Sequence, residues 1–375
     1  MTNSESARGA DRDFELRFAS IFNFQWRRWN MAETGTLGWG ILGTGNIART
    51  LAKAINASAK SRLIGVGSRT QESAEKFGTE FDIPNRYGSY EALLADPEVQ
   101  AVYISLPNHL HAEWAIRCAR AGKQILCEKP LTVNAAEAEQ VIAVIRETGV
   151  LMMEAFQYRC HPIMARICEL IREGAIGDLK LIHASFQYNL GPRYENIRLS
   201  NPAAGGGIMD VGCYTLAFAR LVAGAAVGEP FAEPIELKGC ATIGDVSRVD
   251  EQATAALKFP GGIVATLACG TQAHFDATVR LFGSAGAMTL PNLWIPPAQG
   301  NKIVLNRAGA SEPEEIIVEG HSGPYTVEAD LFADAVAQGR HEAETPAMTL
   351  ADSLGNMRAL DRWRHEVGLV FDVEK

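Results

Sequence analysis

Leu37-Gly38-Trp39-Gly40-Ile41-Leu42-Gly43-Thr44-Gly45-Asn46-Ile47-Ala48 is the stretch on which the fold turns. Leu37–Leu42 reads as a short buried strand. Gly43–Ala48 is a G-x-G-x-x-A turn opening a helix that continues through Leu51 and Ile55. Each position has a physical task in that context. Gly43 permits the tight turn, Gly45 lets the backbone approach a pyrophosphate, and Ala48 lets the helix pack close to the sheet. The helix N-terminus offers free N–H donors to the phosphates. Elsewhere in a chain such a turn would be only a turn; on the first strand of a βαβ unit it is a dinucleotide site.

The alternation continues outward from this motif. Strands are expected at 62–67, 99–106 and 124–127, and helices at 71–81, 111–121 and 135–147, where Val141, Ile142 and Val144 form the apolar face. Strands separated by helices of this length define a parallel, doubly wound α/β sheet. Past about residue 157 the pattern changes. A helix over 162–172 is followed by runs of strand periodicity: 251–259 and 263–269 joined by Phe259-Pro260-Gly261-Gly262, then 279–282 and 287–290 about a Gly-rich turn. These predict hairpins and a large, open, mostly antiparallel sheet. Residues 350–367 return to helix. The expected organisation is an N-terminal extension at 1–34, a Rossmann domain at 35–157, a substrate-binding domain at 158–345, and a C-terminal helix at 346–375.

The bulk composition sets limits. The chain has 375 residues, 47% hydrophobic and 21% charged, the balance of an ordinary globular protein. A net charge of −9 argues against a nucleic-acid or anionic-membrane partner. Seven scattered cysteines, without any Cys-x-x-Cys, indicate neither a zinc site nor a disulfide framework, but reduced thiols in the cytoplasm. No apolar run is read as reaching the ~18–20 residues that span a bilayer. Arg27-Arg28 looks like a twin-arginine signal, but the following Trp-Asn-Met-Ala-Glu-Thr-Gly has no apolar core. The first 30 residues read as an over-extended start preceding Met31, or as an aromatic arm (Phe14, Phe18, Phe22, Phe24, Trp26, Trp29) for a partner subunit.

Cofactor choice is read at the end of the second strand. An NAD enzyme usually places Asp or Glu there to accept from the ribose 2′-hydroxyl. This chain has Ser68-Arg69-Thr70, and a guanidinium with a hydroxyl suits a 2′-phosphate. A charge-assisted hydrogen bond contributes about 1.5–3 kcal/mol, a ten- to hundredfold preference for NADP. Glu72 nearby tempers that preference, and NAD stays open.

Two further clusters carry chemistry. Pro107-Asn108-His109-Leu110-His111 and Glu128-Lys129-Pro130 each follow a strand, at the sheet edge where α/β proteins bind ligands. The second is Gly205-Gly206-Gly207-Ile208-Met209-Asp210-Val211-Gly212-Cys213-Tyr214, in which helical spacing would project Asp210 and Tyr214 from one face. His109 and His111 lack a third metal ligand, and no metal is expected. Glu154, Tyr158, Arg159 and His161 are placed near the pocket without a firm role.

Together, the glycine turn, Pro-Asn-x-x-His at 107–111, Glu-Lys-Pro at 128–130 and Asp-x-Gly-x-Tyr at 210–214 resemble the glucose-fructose oxidoreductase / inositol dehydrogenase / rhizopine-catabolism (Gfo/Idh/MocA) family, from Leu37 to the C-terminal helix. The resemblance implies a Rossmann domain joined to an open antiparallel sheet that often forms the oligomer interface, hence a homodimer or homotetramer. It implies that Lys129 is the essential lysine near the nicotinamide, with Asp210 and Tyr214 at active-site positions. Tyr214, where inositol-oxidising relatives carry His, and Asn196-Ile197-Arg198 look like the branch of NADP-dependent D-xylose 1-dehydrogenase, glucose-fructose oxidoreductase and dimeric dihydrodiol dehydrogenase. Ser73 departs from NADP-binding relatives that have lysine there, implying a lighter grip on the 2′-phosphate. The cofactor-binding set expected from motif and resemblance is Gly43, Thr44, Gly45, Asn46, Ile47, Ser68, Arg69, Leu106, Pro107, Asn108, His111, Glu128 and Lys129.

The chemistry can be argued independently of the resemblance. Oxidising an alcohol or hemiacetal needs a hydride acceptor and a base for the hydroxyl proton. A tyrosine at its ordinary pKa of about 10 is a poor base. A lysine ammonium ~4 Å away would favour phenolate by about 4 kcal/mol at an effective dielectric of ~20, roughly three pKa units. Lys129 is therefore expected to lower the Tyr214 pKa and bind the substrate oxygen, with Asp210 binding a substrate hydroxyl or orienting Lys129. The function expected is NADP-dependent oxidation of a sugar or related cyclic polyol, foremost aldose C1 oxidation. The alternatives are sugar-ketone reduction of the 1,5-anhydrofructose type, trans-dihydrodiol oxidation and, in other classes, an NAD-dependent glycoside hydrolase or a non-catalytic NADP sensor.

Overall fold

The computed structural model describes residues 35–375, and the expectations for the first 34 residues lie outside them. The chain opens with β1 (Leu37–Leu42), α1 (Asn46–Ala57), β2 (Ser61–Gly67), α2 (Gln71–Glu80), β3 (Asn85–Tyr87), α3 (Tyr90–Ala95) and β4 (Ala101–Ile104). Then come α4 (His111–Arg120), β5 (Gln124–Glu128), α5 (Ala135–Thr148) and β6 (Met152–Ala155). The six strands pair in parallel in the order β3-β2-β1-β4-β5-β6. Every residue of β1 and β4 is buried, the pattern of strands covered by helices on both faces. The order reverses between β1 and β4, so a crevice opens beyond their C-terminal ends, and Gly43 and Ser105 stand at its floor. Strand β4, expected at 99–106, ends at Ile104, where the following Ser105 donates its hydroxyl to the Leu42 carbonyl at 2.7 Å.

The second sheet follows α6 (Gln157–Cys160) and α7 (Pro162–Arg172). Its strands are β7 (Leu179–Asn189), β8 (Glu236–Ile243), β9 (Asp250–Lys258), β10 (Val264–Gly270), β11 (Gln272–Asp276), β12 (Val279–Gly283), β13 (Gly286–Leu290), β14 (Asn301–Arg307) and β15 (Glu314–Val318). Both expected hairpins form, β9 with β10 and β12 with β13. The sheet is mixed rather than wholly antiparallel, since β10 lies parallel to β7. One face is covered by a helix that begins as a π-turn at Ile208–Gly212 and continues as α8 (Cys213–Val227). The expectation that no apolar run could span a bilayer is corrected here: residues 201–227 are long and apolar enough, but 94% of their most apolar window is buried inside the protein. A helix apolar all round is one surrounded by core, and Leu216, Phe218, Leu221 and Val222 are fully buried. Each such side chain contributes about 1.5–3 kcal/mol of burial.

After β15 the chain returns to the first layer. Helix α9 (Pro324–Ala337) packs on α1, with Phe332 5.0 Å from Trp39 between ring centroids. Thr326 donates to the Ala54 carbonyl and Lys60 pairs with Asp334. Residues 324–337, grouped by sequence with 158–345, therefore share the core of the Rossmann layer. The last helix, α10 (Leu350–Glu366), lies along α5 through Arg358–Glu139 and through Asp361, which accepts the Ala135 N–H at 2.8 Å.

Candidate active site

The crevice holds a cavity of ≈ 510 Å³ whose walls come from both sheets. Asn46, Ile47, Leu106, Asn108, His111, Glu128 and Lys129 are on the Rossmann side; Tyr188, Arg198, Asp210 and Tyr214 are on the other, with Tyr325 from the start of α9. The remaining predicted cofactor residues, Gly43, Thr44, Gly45, Ser68, Arg69 and Pro107, lie outside that wall. The glycine turn fits the group it was read for. Gly43 has φ +99°, and a Cβ there would stand 3.0 Å from Ser105 Oγ. A Cβ on Gly45 would meet nothing within 4 Å, and the helix it caps has no side-chain cap, so its first N–H groups face open space. Arg69 is exposed at the end of β2, while the Thr70 hydroxyl is committed to capping α2 through the Ser73 N–H.

Lys129 leaves the sheet edge directly after β5, with Glu128 buried beneath it and hydrogen-bonded by the Tyr103 hydroxyl. Lys129 Nζ donates to the Asp210 carbonyl at 2.6 Å and to Asp210 Oδ1 at 3.0 Å. An ammonium has three N–H donors, so one is left to point at a bound oxygen. Asp210 Oδ2 accepts from the Tyr188 hydroxyl at 2.5 Å and from Arg198 Nε at 3.1 Å. Both carboxylate oxygens are thus engaged. Of the two roles expected for Asp210, orienting Lys129 is the one these contacts suit. Burial alone would push the Asp210 carboxyl up, but Lys129 and Arg198 overcome it and hold the group well below the carboxylate range. Burial likewise works to lower Lys129, and the Asp210 carboxylate outweighs it, raising the ammonium pKa above 10.5.

The expectation that Lys129 sits at the Tyr214 hydroxyl is corrected. The ammonium lies over the ring face, 5.1 Å from the centroid, because the acceptors of Asp210 draw it there. The Tyr214 hydroxyl donates instead to Gln157 Oε1 at 3.2 Å, and Gln157 is oriented by its own N–H to the Trp294 carbonyl. Burial, reinforced by Tyr325 and Glu128, pushes the Tyr214 phenol well above 10. Burial therefore favours the protonated phenol of Tyr214 over a preformed phenolate. The helical spacing still brings Asp210 and Tyr214 to one cavity, although the turn carrying Asp210 is π rather than α, a distortion frequent at functional sites.

Five other residues take definite places. His111 is fully buried, with Nδ1 on the Pro130 carbonyl and Nε2 on that of Leu106, both at 2.8 Å; neither nitrogen is free for a cofactor or a metal. Its ring ties the 106–108 turn to the segment after Lys129. Tyr158 stacks behind Tyr214 at 5.4 Å rather than lining the cavity. Arg159 pairs with Asp352 in the core, and His161 caps α7. Glu154 accepts the Leu131 N–H at 2.7 Å, bracing the Lys129 loop from the neighbouring strand. The residues that sequence reading missed are Tyr188, Gln157 and Tyr325, and Arg198 stood only in a motif. Tyr188 had a local signal, since Phe186 and Tyr188 alternate toward one face of β7.

A glycine-turn helix facing a charge-paired lysine and a protonated tyrosine, on a doubly wound sheet, defines a dinucleotide-dependent oxidoreductase. The chain belongs to the Gfo/Idh/MocA oxidoreductase family: the family's profile, described as an oxidoreductase family with an NAD-binding Rossmann fold, matches residues 37–156, and its C-terminal domain profile matches 164–289. It is similar to the mouse trans-1,2-dihydrobenzene-1,2-diol dehydrogenase, 31% identical over 90% of this chain and 99% of that protein. It is 33% identical to the D-xylose 1-dehydrogenase (NADP(+)) 2 of Haloferax volcanii over 86% of this chain and 95% of that one. Among solved structures it matches KijD10, a 3-ketoreductase from Actinomadura kijaniata in complex with NADP and TDP-benzene, with TM-score 0.79 and 28% identity over 88% and 98% of the two chains.

Proposed function

We propose that this chain is an NADP(H)-dependent oxidoreductase that transfers a hydride between nicotinamide and a sugar or related cyclic polyol, with aldose C1 oxidation the leading reaction. The observation that carries this reading is Lys129, fixed by its ion pair with Asp210 in the wall of the cavity that also holds Tyr214. Gly43–Ile47 and Asn108 would cradle the dinucleotide, and Arg69 would meet the 2′-phosphate. A bound nicotinamide supplies or accepts the hydride. Lys129 would hold the substrate oxygen; in reduction Tyr214 gives its phenol proton to the forming alkoxide, and in oxidation it takes the hydroxyl proton after releasing its own to solvent, while Asp210, Tyr188 and Arg198 keep Lys129 in place. The named activities of the mouse, Haloferax and Actinomadura proteins support the class.

A second reading, reduction of a sugar ketone, is favoured by one observation: Lys129 and Tyr214 both hold their protons, ready to neutralise a developing alkoxide. Trans-dihydrodiol oxidation is a further variant of the same chemistry. Following nicotinamide absorbance with NADP⁺ or NADPH against aldoses, ketoses, inositols, a dihydrodiol and a glycoside tests all of these. Turnover with an aldose and NADP⁺ supports the leading reading. Release of a glycoside's leaving group without net absorbance change contradicts it in favour of a hydrolase.

We further propose a cytoplasmic homo-oligomer. All seven cysteines are free thiols, as suits a reducing compartment. The uncovered face of the second sheet carries exposed Val264 and Phe282, which flank Leu181 in one row. Such a strip suits an isologous contact with a second copy.

A further inference from the structure

The helix that delivers Asp210 and Tyr214 starts without a cap of its own. Gly207 stands at its N-cap and offers no side chain, so the first N–H groups find no partner close in sequence. A partner comes from 42 residues downstream: Asp250, the first residue of β9, is fully buried, and its Oδ2 accepts the Ile208 N–H at 2.6 Å. Its other oxygen has no hydrogen-bond partner and fills the space where a side chain at 206 would begin, 2.1 Å from a Cβ placed on Gly206. Gly206 also has φ +105°, a conformation strained for any other residue.

The same junction holds the Arg198 turn. Gly206 N–H donates to the Arg198 carbonyl at 2.8 Å, and a Cβ on Gly205 would lie 2.5 Å from the Ile197 carbonyl oxygen. The triple glycine is thus the place where the Arg198 turn, the helix start and Asp250 meet at van der Waals distance. A buried carboxyl with one unpartnered oxygen is costly, and burial pushes its pKa up to about 8. An apolar side chain could fill the space without that cost, but it could not accept the Ile208 N–H.

We propose that Asp250 is a positioning residue: by anchoring the Ile208 N–H it sets where Asp210 and Tyr214 stand against Lys129. The inference rests on the functional reading above, which makes those three residues the reactive centre. Asp210 lies two residues past the anchor and reaches Lys129 at 2.6 and 3.0 Å, so a displacement of about 1 Å would cost on the order of 10²-fold in turnover.

The test compares Asp250→Ala with Asp250→Asn in the full chain by turnover, NADPH dissociation constant and hydrogen exchange. In Asp250→Ala, kcat should fall by about 10- to 100-fold while NADPH affinity stays within about threefold. Exchange across 205–214 should quicken by about tenfold or more, with β1 unchanged. Asp250→Asn, whose amide oxygen still accepts the Ile208 N–H, should recover kcat to within about fivefold of wild type. A folded Asp250→Ala with wild-type turnover and unchanged exchange overturns the proposal, as does an Asp250→Asn no better than Asp250→Ala. If Asp250→Ala does not fold, Gly206→Ala serves, since its Cβ displaces the carboxylate; the same loss of kcat with NADPH binding kept is expected, and wild-type kcat overturns the proposal. If the wild type turns over no nicotinamide at all, the functional reading fails by itself. Exchange across 205–214 then still decides the anchor, supporting it if faster in Asp250→Ala and overturning it if unchanged.

Discussion

Asp210→Asn removes the carboxylate that pairs with both Lys129 and Arg198, and its effect can be worked from the geometry. Lys129 and Asp210 are 3.0 Å apart with side chains only 13% and 12% exposed. Breaking such a buried pair by removing one partner costs about 3–5 kcal/mol. If the loss falls on the ionised form of Lys129, it equals roughly two to four pKa units. In the wild type burial works against the ammonium and Asp210 more than compensates. In the variant burial is left, with Arg198 now an unneutralised neighbour, and the Lys129 pKa should fall by those units from its wild-type value. Carbonyl reduction requires the protonated amine, so activity is retained below that pKa and lost as pH rises through it. The assay is kcat/KM for NADPH-dependent reduction from pH 6 to 9 at constant ionic strength. Wild type should show no limb from Lys129, and Asp210→Asn should fall about tenfold per pH unit above its new pKa. Parallel profiles for the two proteins would refute the reasoning.

Arg69→Met should raise KM for NADPH by about 10- to 100-fold and leave KM for NADH nearly unchanged, because only the 2′-phosphate distinguishes them; equal effects on both would remove Arg69 from that role. Tyr214→Phe keeps the aromatic stack but loses the hydroxyl, so kcat should drop by about 10²–10⁴ with NADPH affinity retained, as read by fluorescence titration. Glu154 is a pH-dependent liability: burial raises its carboxyl to about 7 from 4.5. An acid whose folded pKa is raised loses folding stability as pH climbs from the unfolded pKa to the folded one, about 3 kcal/mol in total here. Glu154→Gln, which can still accept the Leu131 N–H, should match wild type near pH 4.5 and exceed it in Tm at pH 7.5; a Tm difference independent of pH would contradict this.

The parts of this protein that were legible in the sequence are those written in local pattern. Gly43–Ala48 after an apolar strand, the helical spacing of Val141 and Ile142 (Val144, read with them, is half-buried and Ile145 takes its place in the core), and the Phe259–Gly262 turn each encode structure within a dozen residues. Lys129 and Asp210 were also legible as candidates, since a lysine at a strand end and an acid in a glycine-rich helix start are local facts. Their partnership entered only as one of two roles for Asp210, because the 81 residues between them are spanned only by tertiary packing. The Tyr214 hydroxyl was misplaced for the same reason: its partner Gln157 and the Trp294 carbonyl that orients it come from remote segments. Tyr325 had no signal at all, since nothing in Gly323-Pro324-Tyr325 announces that α9 folds back onto α1. His111 does open a helix at the cavity edge as read, but that its ring is held between two backbone carbonyls was not legible.

The central claim is that this cavity passes a hydride directly between nicotinamide and the carbon whose oxygen Lys129 and Tyr214 hold. The most direct measurement uses NADPH carrying deuterium at one or the other face of C4, with the best carbonyl substrate from the panel and product analysis by mass spectrometry and NMR. The account predicts one deuterium on the new carbinol carbon from one face only, with none from solvent. Product lacking nicotinamide-derived deuterium, or carrying solvent deuterium at that carbon when the reaction is run in D₂O, would contradict it.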